Sequence, residues 1–200
     1  MLSAVAAAVR SGARLHGDRA VLRLAGADAT TFLQNSLASD VRKAPAPAVM
    51  LNHQGRFVHD AFLVPSPDGY LLDADRDAAP HLAAALKKML MRAKVTISDE
   101  SDRFSVLVSR DASDLSSSAF ADVRAPHLGW RAIVPSADPL ATAASSDYDE
   151  EYHLLRMLLG VPQGLRELPP GELFPFEANM DYCNAGTLPH FFWFLLLTLA

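Results

Sequence analysis

Cysteine is almost missing: the chain has one, Cys183, in 200 residues. No intrachain disulfide can form, and a thiolate metal site within the chain is excluded because it needs a second cysteine. No lysine or helix start adjoins Cys183 to activate it, so it reads as a buried or incidental thiol. There is no phosphate-binding glycine loop, no G-x-G-x-x-G turn, no internal repeat and no coiled-coil heptad. The seven histidines are scattered without metal-ligand spacing. Positive charge is also short. With 18 Lys and Arg against 23 Asp and Glu, the net charge is −5, which argues against a broad phosphate-binding surface and against nucleic acid as a partner. The one basic cluster, Lys87, Lys88, Arg92 and Lys94, reads as a solvated helix face. The apolar run from Leu188 to Ala200 is shorter than the roughly 20 residues that cross a bilayer, so no transmembrane span is expected.

What remains is ordinary globular chemistry, half hydrophobic and a fifth charged, enough for one domain with a real core or two small ones. The opening, MLSAVAAAVRSGAR, carries Arg10, Arg14, serines and alanines and no acid. That is the composition of an organelle transit peptide, mitochondrial or plastid, and residues 1–12 are expected to be a short targeting segment.

Taken in order, Arg19 to Ala25 alternates apolar and polar, which predicts a half-buried strand with Arg19 and Arg23 outward. Asp28 is placed to cap a helix running to about Ser39, with Phe32, Leu33 and Leu37 inward. The Pro45 and Pro47 pair predicts a loop. Two extended runs, 49–52 and 56–64, flank His53, Gln54 and Gly55 and predict a hairpin. A third strand covers 70–74. Residues 77–94 predict a helix with Pro80 in its first turn and Leu82, Leu86, Met89 and Leu90 buried. Strands follow at 95–97, 104–109 and 129–135. The Ser-rich stretch 113–121 fits no element, and 137–147 is a loop or the start of a helix. The last helix, 149–160, has acids in its first turn, an apolar face of Leu154, Leu155, Leu158 and Leu159, and Gly160 as its stop. Hairpin-short connections among strands and helices predict an α+β fold of mixed or antiparallel sheets with packed helices.

Two groups of polar residues are candidates for binding. Asn52, Arg56 and Asp60 fall at even spacing on the hairpin. Arg56 and Asp60 would share a sheet face, either as a structural ion pair or as a site offering guanidinium and carboxylate to a polar ligand. Glu177, Asn179 and Asp181 alternate in a segment preceded by Pro162, Pro169, Pro170 and Pro175. Such a segment holds its shape cheaply. It could present polar groups to a ligand, or serve as a rigid connector.

Four stretches in this order, RLAGADATTFLQNSLASD, LNHQGRFVHD, RMLLGVPQG and PFEANMDYCN, resemble the folate-binding YgfZ-type proteins. These are relatives of the glycine cleavage T-protein, GcvT, and the resemblance leans toward the family's mitochondrial iron–sulfur assembly members. It covers roughly Ala13 to Asn184. It implies a GcvT/YgfZ-like folate-binding domain over 13–184, incomplete, and a divergent apolar tail over 185–200. It further implies a role in maturing 4Fe–4S proteins in the mitochondrial matrix, or alternatively a plastid. Tetrahydrofolate is the implied ligand, and iron–sulfur assembly proteins and 4Fe–4S clients are the implied partners. Asp60 matches an acid that the T-protein uses in catalysis. Asn52 and Arg56 lie in the same block, and Glu177, Asn179 and Asp181 match a PxExNLD-like element. There are two departures. Leu158 stands where the T-protein carries a pterin-binding glutamate, which argues against aminomethyl transfer and against an enzyme. The family's Lys-Gly-Cys-Tyr-x-Gly-Gln-Glu run does not appear, and Cys183, with no Lys-Gly before it, is not its cysteine. A C-terminally shortened form without the family's C-terminal barrel domain is the expectation, with a one-carbon transferase or a non-functional isoform as the alternatives.

Overall fold

The computed structural model describes residues 12–144 and 149–186. The expected targeting segment and the residues after Gly186 lie outside these, apart from Gly12. The elements in order are β1 (Arg14–Leu15), β2 (Arg19–Ala25), α1 (Ala29–Ser36), β3 (Ala46–Leu51), β4 (Phe57–Ser66), β5 (Gly69–Asp75) and α2 (Ala79–Met89). They continue with β6 (Thr96–Asp99), β7 (Phe104–Ser109), β8 (Phe120–Ala121), β9 (Trp130–Pro135), α3 (Pro139–Ala143) and α4 (Asp149–Leu158). Two antiparallel sheets form, one in the order β3-β4-β5-β2-β6 and one in the order β1-β7-β9-β8. The expected α+β class is the one observed.

The five-stranded sheet is covered on both faces. On one face Leu22, Leu24, Ala48, Met50, Ala61, Leu63, Leu72 and Ala74 pack with Phe32 and Leu33 of α1 and Leu82 and Leu86 of α2. The helical spacing of those four positions turns one apolar stripe onto the sheet. On the other face Val21 and Leu71 meet Val106 of the second sheet. β2 is therefore not half-buried. Its alternation separates two interiors rather than core from water, and Arg19, expected outward, is only 4% exposed.

Other expectations shift for local reasons. Asp28 forms no cap bond with α1. Its carboxylate instead accepts from the Lys94 amide at 2.8 Å, tying the start of α1 to the segment after α2. Pro47 lies within β3, where its partner across the ladder is Phe62. β3 is the outer strand of its sheet, a position that tolerates a residue without an N–H. α2 stops at Met89, which is exposed rather than buried. The unplaced Ser-rich stretch supplies a short 3₁₀ turn at Ala112–Asp114 and the edge strand β8. The apolar face expected for α4 is rotated. Tyr152, Leu155 and Arg156 are buried, while Leu154 and Leu158 are exposed.

A third cluster joins the ends of the molecule. Val49, Phe57, Val108, Tyr152, Leu155, Leu168, Ala178, Met180 and Cys183 pack together, so α4 and the 160–186 segment close one side of the two-sheet stack. No helix among the described residues is long and apolar enough to cross a membrane.

Candidate functional site

The hairpin behaves differently from an unbroken pair of strands. Register slips between Met50 and Leu51, so that Met50 faces His59 while Leu51 faces Phe57. Arg56 precedes the start of β4, and the irregularity cancels the face-sharing that even spacing would give it with Asp60. Asn52 organises the turn: its Oδ1 accepts from the amides of Gln54 and Arg56, both at 2.9 Å. The Arg56 guanidinium donates to the Glu172 carbonyl and lies 4.5 Å from the centre of the Phe174 ring. Asp60, half-buried, accepts from the Gly164 amide at 3.4 Å. Thus Arg56 and Asp60 each fasten the hairpin to a different part of the 160–186 segment.

The second group is also engaged locally. Glu177 accepts from the Phe174 amide at 2.7 Å, and Asn179 donates to the Gly160 carbonyl at 3.1 Å. Asn179 sits at φ +52, a left-handed conformation that asparagine tolerates. Glu177 and Asn179 line one surface groove of about 270 Å³, together with Met157, Leu168 and Leu173. Asp60 lines a separate void of about 10 Å³ with Phe62, Arg124, Pro162, Met180 and Cys183. Asp181 is exposed. The six expected residues therefore do not converge on one cavity. Leu158 is 48% exposed.

Between the sheets lies a polar cluster that spacing did not reveal. Arg19 donates through Nε to Asp73 Oδ1 and through Nη2 to the Asp73 carbonyl, the latter at 2.8 Å. Arg131 donates to Asp73 Oδ2 and, at 2.9 Å, to Asp122 Oδ2. Arg124 donates to both oxygens of Asp122, at 3.0 and 2.7 Å. The Tyr152 hydroxyl accepts from Arg124 and Arg131 at 2.9 Å each. The Gln163 side-chain oxygen, Oε1, accepts from the same two at 2.8 and 3.2 Å. Both guanidiniums also stand over the Phe62 ring, at 5.1 and 4.9 Å. The chain of contacts runs Arg19–Asp73–Arg131–Asp122–Arg124, all nearly inaccessible to water.

Electrostatics follow from this burial. Desolvation works to raise the Asp122 carboxyl, but Arg124 and Arg131 outweigh it and hold the group well below the usual carboxylate range. Asp73 is held low in the same way, burial being overcome by Arg19 and Arg131. The His16 Nε2 accepts from Gln163 Nε2 at 3.2 Å; burial, reinforced by Arg131 and Arg19, pushes the His16 pKa well down and keeps the ring neutral. Burial pushes the Cys183 thiol up to about 11. Nearer the surface, Arg156 makes a two-pronged contact with Glu167 at 2.9 and 3.0 Å and also donates to the Val161 carbonyl. The available signal for the inter-sheet cluster was two acids and three arginines in or beside strand-like stretches. Of these, only Arg19 was placed by the pattern, on the outward side of its strand.

The chain is 31% identical over 190 residues to the iron-sulfur cluster assembly factor IBA57 homolog, mitochondrial, of Mycosarcoma maydis. It is 32% identical over 201 residues to the Coccidioides immitis homolog and 31% over 202 to the human protein of that name. These matches take in 83%, 82% and 86% of this chain. The chain is a relative of the IBA57-type proteins. It spans about half the length of these relatives, 47% of each fungal one and 56% of the human one. No family model matches it. Among solved structures, the glycine cleavage system aminomethyltransferase T from Bartonella henselae is similar at TM-score 0.44 and 18% identity, covering 54% of this chain and 31% of that one.

The family resemblance of the sequence implied a folate ligand, with Asp60 among its contacts. The void beside Asp60, however, is about the size of one water molecule. Met180, Cys183 and Ala185 close it, and Ser39 holds the Ala185 carbonyl in place. A pterin ring does not fit there. Among the described residues no group of three or more His, Cys, Asp or Glu is arranged to hold a metal ion.

Proposed function

We propose that this chain acts in mitochondria as a factor assisting the maturation of 4Fe–4S proteins, without substrate turnover of its own. The observation that carries this reading is the likeness to mitochondrial assembly factors over more than four-fifths of the chain. The proposed partners are iron–sulfur assembly proteins and 4Fe–4S clients. The domain reading proposed with it is a GcvT/YgfZ-like domain over 13–184, spanning about half of what the relatives carry.

The finer reading takes tetrahydrofolate as ligand, with Asn52, Arg56, Asp60, Glu177, Asn179 and Asp181 as the candidate contacts. In the folded chain that reading requires the turn containing Met180 and Cys183 to leave its place over Asp60. The two readings have separate tests. Expression in cells depleted of their own IBA57-type protein should restore the activity of mitochondrial 4Fe–4S enzymes; no restoration by soluble, matrix-located chain overturns the assembly role. Calorimetric titration with tetrahydrofolate decides the ligand. Binding that is lost in Asp60→Ala supports it, and no binding to the parent chain removes it while leaving the assembly role in place.

A further inference from the structure

The outer side of α4 leaves large apolar side chains exposed. Leu154, Met157 and Leu158 are 50%, 55% and 48% exposed. They fall at i, i+3 and i+4, so they form one stripe along the helix. Met157 carries that stripe into the 270 Å³ groove, whose apolar floor includes Leu168, Leu173 and Ala178. A helix of ten residues that leaves three large apolar side chains in water is built to be covered.

Charge around the groove says what kind of molecule covers it. Glu167 and Glu177 line it directly; Glu167 is paired with Arg156, while Glu177 is exposed. From Val161 to Gly186 the chain carries four acids, Glu167, Glu172, Glu177 and Asp181, against one base, Arg166. Glu172 and Asp181 are exposed, and their carboxylates have no partner among the described residues.

We propose that this groove is a docking site for a basic amphipathic helix of a partner protein. The partner's apolar face lies against Leu154, Met157, Leu158 and Leu173, and its Lys or Arg residues meet Glu172 and Glu177. An apolar stripe supplies contact area, and the acidic rim selects for cationic partners and speeds their encounter. This goes beyond the assembly role in naming the surface and the chemistry of the partner segment, and it does not depend on folate.

The test uses the whole chain and a fluorescent leucine–lysine peptide whose leucines fall at helical spacing. A scrambled peptide of the same composition is the control. The patterned peptide is expected to bind on the order of tenfold tighter than the scrambled one, a difference of about 1.4 kcal/mol. Met157→Glu and Glu172→Lys, both at exposed positions, should each weaken it several-fold while leaving the far-UV circular dichroism unchanged. Binding should also weaken as salt rises. Equal binding of both peptides would reduce the effect to bulk attraction and overturn the proposal. So would indifference to Met157→Glu, or absence of binding. Two further outcomes also overturn it: a dimer of the parent chain that Met157→Glu dissolves, and peptide binding that emerges only when residues 187–200 are removed.

Discussion

Gly164 shows how one residue without a side chain holds two parts of the fold in contact. It sits at φ +76, and a Cβ there would collide with the Asp75 carboxylate. Its amide meanwhile donates to Asp60. Gly164→Ala should therefore lower stability by about 1–3 kcal/mol, read from the urea midpoint, through strain and contact together. The inter-sheet cluster is less forgiving. Asp122→Ala leaves Arg124 and Arg131 buried with one carboxylate fewer, and removing one partner of a buried pair costs roughly 3–5 kcal/mol. Replacement of the whole cluster by apolar residues of similar volume would be a different experiment, since the desolvation cost then disappears with the charges. At Cys183, burial both hides the thiol and disfavours the thiolate. Alkylation of the native chain at pH 8 should be slower than that of the urea-unfolded chain by orders of magnitude; comparable rates would place the thiol at the surface.

Helix α4 carries a prediction at the level of the element. Leucines at 154, 155, 158 and 159 look interchangeable in sequence, but the helix turns Tyr152, Leu155 and Arg156 inward. Leu155→Ala should cost about 2–5 kcal/mol, and Leu154→Ala should stay within about 0.5 kcal/mol. The rotation has a physical cause. Tyr152 must reach Arg124 and Arg131, and Arg156 must reach Glu167, so polar contacts decide which face is buried. Elsewhere, local pattern was sufficient. β4, β5, β7 and β9 lie close to where alternation and turn residues put them, because each is bounded by a Gly or Ser-containing turn. Asp28 looked like a cap and instead holds Lys94, since the segment returning after α2 offers an amide that sequence neighbours do not. Among the candidate site residues, the pairing of Arg56 with Asp60 depended on an unbroken strand, and one register slip removed it.

For the molecule as a whole, the titrating groups set a stability profile with two declining sides. His16 and His59 are kept below the ordinary histidine value chiefly by burial. The unfolded chain therefore takes up these protons first, and stability is fully present above about pH 6.5 and lost as pH falls from there. Asp73, Asp122 and Glu167 are held below their ordinary range. Their contribution is present above about pH 4 and disappears progressively below it. Cys183 works in the opposite direction. The folded thiol keeps its proton to about 11, whereas an unfolded one releases it near about 8.5, so stability falls above that value. Urea midpoints measured across pH should show a plateau between about 6.5 and 8.5. A midpoint that rises on acidification from pH 7 to 5 would contradict the neutral, buried state of both histidines.

What the sequence alone determined were properties carried by neighbours along the chain. Strand alternation, helix spacing, the proline-set 160–186 segment, the absence of disulfides and the family resemblance are all of that kind. Whether a strand's second face meets water or another sheet is a long-range fact, and it reversed the reading of Arg19, which is buried with Asp73 and Arg131. Only stacking of the two sheets joins residues as far apart as Arg19, Asp122 and Gln163 into one buried cluster. Only the docking of the last segment closes the space over Asp60. Periodicity reports which side chains share a face. What that face touches is decided by tertiary packing, because burial and charge pairing depend on partners distant in sequence.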